Sequence, residues 1–63
     1  MKELDVVESI VKIENIEPGT TGVIIYIHEG YAAREVEFFD EDDDTIAVIT
    51  CKYEQLKYIG KNF

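Results

Sequence analysis

The chain has 63 residues, 46% of them hydrophobic, and a net charge of −8 from 14 acidic against 6 basic residues. That length holds one core, so residues 1–63 are expected to form a single domain that buries only about 60% of its unfolded surface. The charge argues against nucleic acid or an anionic membrane as partner, since both are bound by Lys and Arg displacing counterions, and it favours encounter with a basic protein.

The imbalance is uneven. Residues 1–51 carry 13 acids against Lys2, Lys12 and Arg34, a balance of −10, whereas residues 52–63 carry Lys52, Lys57 and Lys61 against Glu54, a balance of +2. Cys51 is the sole cysteine, which excludes an intrachain disulfide and the small disulfide-stapled scaffolds. The opening residues, MKELDVVESI, are too acidic for a signal peptide, and no stretch approaches the ~20 apolar residues of a membrane span. A cytosolic location is the expectation.

In chain order, Val6, Val7, Ile10 and Val11 partly fit a helical period, but their β-branching favours two short extended pieces, Asp5–Val7 and Ile10–Ile13, joined by a bend at Glu8-Ser9. Glu17-Pro18-Gly19-Thr20 is a turn, with Pro presetting φ at its second position and Gly free to take positive φ at its third. A strand from Val23 to His28 follows. Both of its faces are apolar, which suits a strand central to the fold; Val23, Ile25 and Ile27 share one face. Glu29-Gly30-Tyr31 is a loop. Arg34–Phe39 alternates, with Val36 and Phe38 inward and Glu35, Glu37 and Phe39 outward. Asp40–Asp44 connects it to a strand at Thr45–Cys51, Lys52–Gln55 forms one helical turn, and Leu56–Ile59 is a last strand before the tail. The expected core is Val23, Ile25, Val36, Phe38, Ile46, Val48 and Leu56. Five short strands with a helical turn before the last describe an all-β, SH3-like barrel.

Leu4-Asp5-Val6-Val7, Gly19, Gly22, Val23, Glu35-Val36-Glu37-Phe38, Thr45, Ala47, Thr50 and Gln55-Leu56 come in the order of a small bacterial family that the chain resembles. That family is catalogued as domain of unknown function 4926. The resemblance covers nearly the whole chain and implies an SH3-like fold with no established catalytic residues. It also implies the kind of small protein encoded beside bacterial toxins. Two features depart from the pattern. The family's hairpin glycine is replaced within Asp42-Asp43-Asp44, where Asp tolerates the left-handed conformation better than most residues. The family also places its first Pro nearer the first strand.

Asp40, Asp42 and Asp44 keep the spacing of a calcium loop, but Thr45 stands where its sharp-turn Gly belongs and Cys51 where its bidentate Glu belongs. No second ligand stands at metal spacing from His28, which reads as a surface residue, and Cys51 reads as a packing residue rather than a nucleophile. Glu35 and Glu37 form a solvent face, too wet for acid–base chemistry. The aromatic residues exceed what a small core can take, so some of Tyr26, Tyr31, Phe39, Tyr53 and Tyr58 should stand on the surface as anchors.

These readings lead to a protein-binding module without catalysis or cofactor. Its most specific form is an acidic antitoxin or immunity-type inhibitor that caps a basic toxin. The alternative is a small accessory subunit docking on a larger enzyme. The expected partner surface comprises Tyr31, Glu35, Glu37, Phe39, Asp40, Asp42, Asp43 and Asp44. No metal, nucleic acid or membrane is expected, and the chain should be a monomer or weak homodimer.

Overall fold

Strand-forming sequence dominates the backbone. The computed structural model describes residues 1–30 and 33–61. It contains β1 (Asp5–Ser9), β2 (Thr21–Ile27), β3 (Ala33–Phe39), β4 (Thr45–Lys52), a 3₁₀ turn (Tyr53–Gln55) and β5 (Leu56–Lys61). All neighbouring strands are antiparallel, in the order β4-β3-β2-β1-β5. The fold is all-β with five strands and a helical turn before the last, as expected, and β2 is the middle strand. Closure is not: the sheet is open, with β4 and β5 as its edges. Among the described residues no helix is long and apolar enough to cross a membrane.

One face of the curved sheet buries the core. Val7, Ile24, Val36, Phe38, Ile49, Cys51 and Leu56 meet there, joined by Ile13 and Ile16 from the loop after β1. Three members of the expected core, Val36, Phe38 and Leu56, are buried; four are not. Val23 is half-buried, while Ile25, Ile46 and Val48 are exposed. Sequence alternation assigned β2 and β4 to the wrong faces. In both strands the two faces are similarly apolar, so period alone does not choose between them. Pairing with β3 does: Ile24 lies opposite Val36, Val36 opposite Ile49, and Phe38 opposite Ala47. A register shift between Ile24 and Tyr26 displaces Ile25 further from any simple alternation.

The segment after β1 also differs from expectation. Ile10–Ile13 is not a second extended piece. Ile13 and Ile16 exchange backbone hydrogen bonds of 3.0 and 2.8 Å across a tight turn, with Glu14 at φ 54°. This turn tucks both isoleucines under the sheet, where burial favours it over further β-pairing.

The Glu17–Thr20 turn forms as read, with Gly19 at φ +89°. Its fixed position comes from Ser9, which is 1% exposed. Ser9 Oγ donates to the Glu17 carbonyl (2.8 Å) and accepts from the Thr20 N–H (3.2 Å). The Ser9 carbonyl accepts from the Gly19 N–H (2.7 Å), and the Ser9 N–H donates to the Thr20 carbonyl (3.0 Å). Every polar group of this buried serine is therefore satisfied by the turn, which is tied to the end of β1.

Candidate functional site

Two turns meet over the outer face of the sheet. One is the Glu17–Thr20 turn held by Ser9; the other is the β3–β4 connection, Asp40–Asp44. Between them lies an open groove of about 990 Å³. Val6, Val23, Phe39 and Ile46 provide its apolar lining, with Pro18–Thr21 on one side and Asp40, Glu41, Asp42 and Asp43 on the other. The lining follows from register: Val6 pairs with Val23 on adjacent strands, and Phe39 and Ile46 flank the register shift where β3 leaves β4.

The acidic connection is organised by its first residue. Asp40 Oδ1 accepts from the backbone N–H groups of Asp42 (2.9 Å) and Asp44 (3.0 Å). The Asp40 N–H donates to the Asp44 carbonyl (2.9 Å), and the Asp43 N–H to the Asp40 carbonyl (3.0 Å). Asp43 is the residue of this connection that takes left-handed backbone, at φ 63°. Asp40 thus does structural duty, whereas the exposed side chains of Glu41 and Asp42 remain available to a partner. No salt bridge joins any hairpin carboxylate to another described residue; Lys12 and Glu17, at the start of the facing turn, form an exposed pair at 3.3 Å.

Of the residues expected at a partner surface, Phe39, Asp40, Asp42 and Asp43 come together in this groove. Asp44 closes the hairpin without lining it. Glu37 sits beside the groove, opposite Val23 in the ladder, and accepts a hydrogen bond from Thr45 Oγ1 (2.5 Å). Glu35 is one step further along β3, in a separate cluster. Tyr31 lies outside the described residues. Sequence reading missed Val6, Val23 and Ile46 as groove residues, because it placed Val23 and Ile46 in the core. It also missed the Pro18–Gly19 wall; the only available signal was the turn itself.

The Glu35 cluster is the second polar feature of the outer face. Glu35 Oε2 accepts from His28 Nε2 and Thr50 Oγ1, each at 2.6 Å, and the His28 ring stands edge-on to Tyr26 at 5.2 Å. The hydrogen bond from His28 first, and that from Thr50 second, hold the Glu35 carboxyl below its ordinary value of 4.5. His28 is therefore half-buried and engaged rather than a bare surface residue. Cys51 is 1% exposed, and burial, with the fields of Glu35 and Glu14, pushes its thiol up to about 11. A thiol so placed is protonated and shielded at neutral pH. Among the described residues no group of three or more His, Cys, Asp or Glu is placed to hold a metal ion. Elsewhere, Tyr53 stacks on the Arg34 guanidinium at 5.1 Å, and Tyr26 and Tyr58 are about half exposed.

A family model described as a domain of unknown function (DUF4926) matches residues 3–58, a span that holds all five strands' pairing partners except the end of β5. No curated protein and no solved structure matches the chain.

Proposed function

The chain belongs to the DUF4926 family, and we propose that it acts as a non-catalytic protein-binding module that receives a basic partner in the groove between its two turns. The observation that carries this reading is the combination in one place of an apolar lining and a rim of carboxylates without ion partners among the described residues. Apolar anchors give such an interface its lifetime, and the charged rim steers encounter. In its most specific form the module is a cytosolic antitoxin or immunity-type inhibitor. A toxin that acts on nucleic acid needs a positive cleft for phosphate, and the same cleft attracts Glu41, Asp42 and Asp43. The buried thiol of Cys51, held protonated by its surroundings, favours a binding role over thiol nucleophilic catalysis.

The test is a titration with an extended peptide that alternates Lys or Arg with apolar residues, followed through backbone amide shifts. Val23, Phe39, Ile46 and the Asp40–Asp44 amides should move together, and the affinity should fall as salt rises. The double variant Glu41→Lys, Asp42→Lys should slow association, and Phe39→Ala should speed dissociation. Perturbations confined to Lys52–Lys61, or a salt-independent affinity, would place binding elsewhere. A toxin-like neighbouring gene separates the inhibitor from an accessory subunit of a metabolic enzyme.

A further inference from the structure

An acidic groove with an apolar lining suits a segment that sets apolar side chains between positive charges, and the chain carries one itself. After the buried Leu56, β5 reads Lys57-Tyr58-Ile59-Gly60-Lys61, with Tyr58 and Ile59 47% and 50% exposed. Residues 52–63 are the one basic stretch of the chain, at +2. Among the described residues neither Lys57 nor Lys61 forms an ion pair, and neither does any carboxylate of Asp40–Asp44. Two surfaces of opposite charge, each with apolar side chains, thus stand open on one molecule. They do not meet within the chain. β5 is paired with β1 from Lys61 opposite Asp5 to Leu56 opposite Ser9, which holds it at the sheet edge and out of its own groove.

We infer that, without another partner, the groove holds the Lys57–Lys61 strand of a second copy of this chain; the inference rests on reading that groove as a binding site. The two lysines come against the Asp40–Asp43 rim, and the apolar side chains between them against the lining. Groove and strand adjoin on each copy, since Val6 of the lining stands opposite Gly60. A two-fold axis can therefore give each copy's β5 to the other's groove at the same time. Such an interface is isologous and closes at the dimer, where a one-sided contact would propagate. Each copy carries −8, which opposes the encounter and keeps the dimer weak. Self-docking covers the apolar lining until a basic protein displaces the second copy.

A dilution series of the unmodified protein, followed by backbone amide shifts and by sedimentation equilibrium, tests this. Concentration should move Val23, Phe39 and Ile46 together with Lys57–Gly60, and the largest species should be a dimer. Adding the peptide of alternating Lys and apolar residues should return the β5 shifts to their dilute values while the groove stays perturbed. Charge reversal supplies a second readout. Glu41→Lys with Asp42→Lys, and separately Lys57→Glu with Lys61→Glu, should each abolish self-association. Mixing the two variants should restore it, because each groove again faces a strand of opposite charge. Each pair of reversals changes the charge by four, so both variants stay net negative and bulk attraction does not explain a restored dimer. Peptide binding without any concentration dependence would remove the self-docking and leave the groove reading standing. Concentration-dependent shifts of groove and β5 without peptide binding would do the reverse. Assemblies that grow beyond the dimer, a mixture that stays monomeric, or a bound peptide that leaves the dimer intact would each overturn the inference.

Discussion

Gly22 is the residue at which the fold is least forgiving. It is buried between β1 and β3, and a Cβ there would lie 2.6 Å from Val36 Cγ1, 2.9 Å from Phe38 Cδ1 and 3.0 Å from the Glu37 carbonyl oxygen. No torsional requirement explains the glycine; only the close approach of β3 does. Gly22→Ala must push Val36 and Phe38 out of place together, and overpacking of this kind costs about 1–3 kcal/mol. Urea denaturation should therefore show a clearly lower midpoint for the variant, and an unchanged midpoint would mean that β2 and β3 are less closely packed. The sequence marked Gly22 as the start of a strand, but the two side chains that exclude a Cβ there come from residues 14 and 16 positions later. Ser9 teaches the same lesson in polar form: nothing about a lone serine at a strand end announces that it will organise a turn eight residues away.

At the scale of an element, the β3–β4 hairpin was legible in outline and strained in detail. Its acidic run read as a connection, and the residue that takes left-handed backbone, Asp43 at φ 63°, lies in the middle of the Asp42-Asp43-Asp44 triplet. The Asp40 side chain offsets part of that strain by accepting two backbone N–H groups. Because Gly meets no steric penalty at this φ, Asp43→Gly should stabilise the protein by up to about 1 kcal/mol, less the added freedom of the unfolded chain. Thermal unfolding should show a small rise in Tm, while Asp42→Gly, which relieves no positive φ, should lower it. β3 itself followed its sequence faithfully, since its two faces differ sharply in polarity: Val36 and Phe38 are buried, Glu35 and Glu37 half-exposed. β2 and β4 did not, because their faces do not differ enough for period alone to choose.

For the molecule as a whole, stability rests on a small number of side chains. The structure measures 33 × 27 × 16 Å, and a single sheet folded over so little volume supplies few fully buried groups. Phe38 is the largest of those below 2% exposure. Phe38→Ala should cost about 3–5 kcal/mol, most of what a core of this size provides. Loss of a cooperative melting transition in the variant is the expected outcome; a Tm within a few degrees of the parent would remove Phe38 from the centre of the core. By itself the sequence determined the all-β class, the number of strands, the Pro18–Gly19 turn, the faces of β3 and the acidic character of one hairpin. Each of these depends on local properties: β-branching, turn chemistry, or an alternation between unlike faces. Only the tertiary structure decided which faces of β2 and β4 are buried, that the sheet stays open, and that Val6, Val23, Phe39 and Ile46 line one groove beside Asp40–Asp43. Those outcomes depend on register between strands distant in sequence, and a strand with two apolar faces carries no internal record of which one its neighbours will cover.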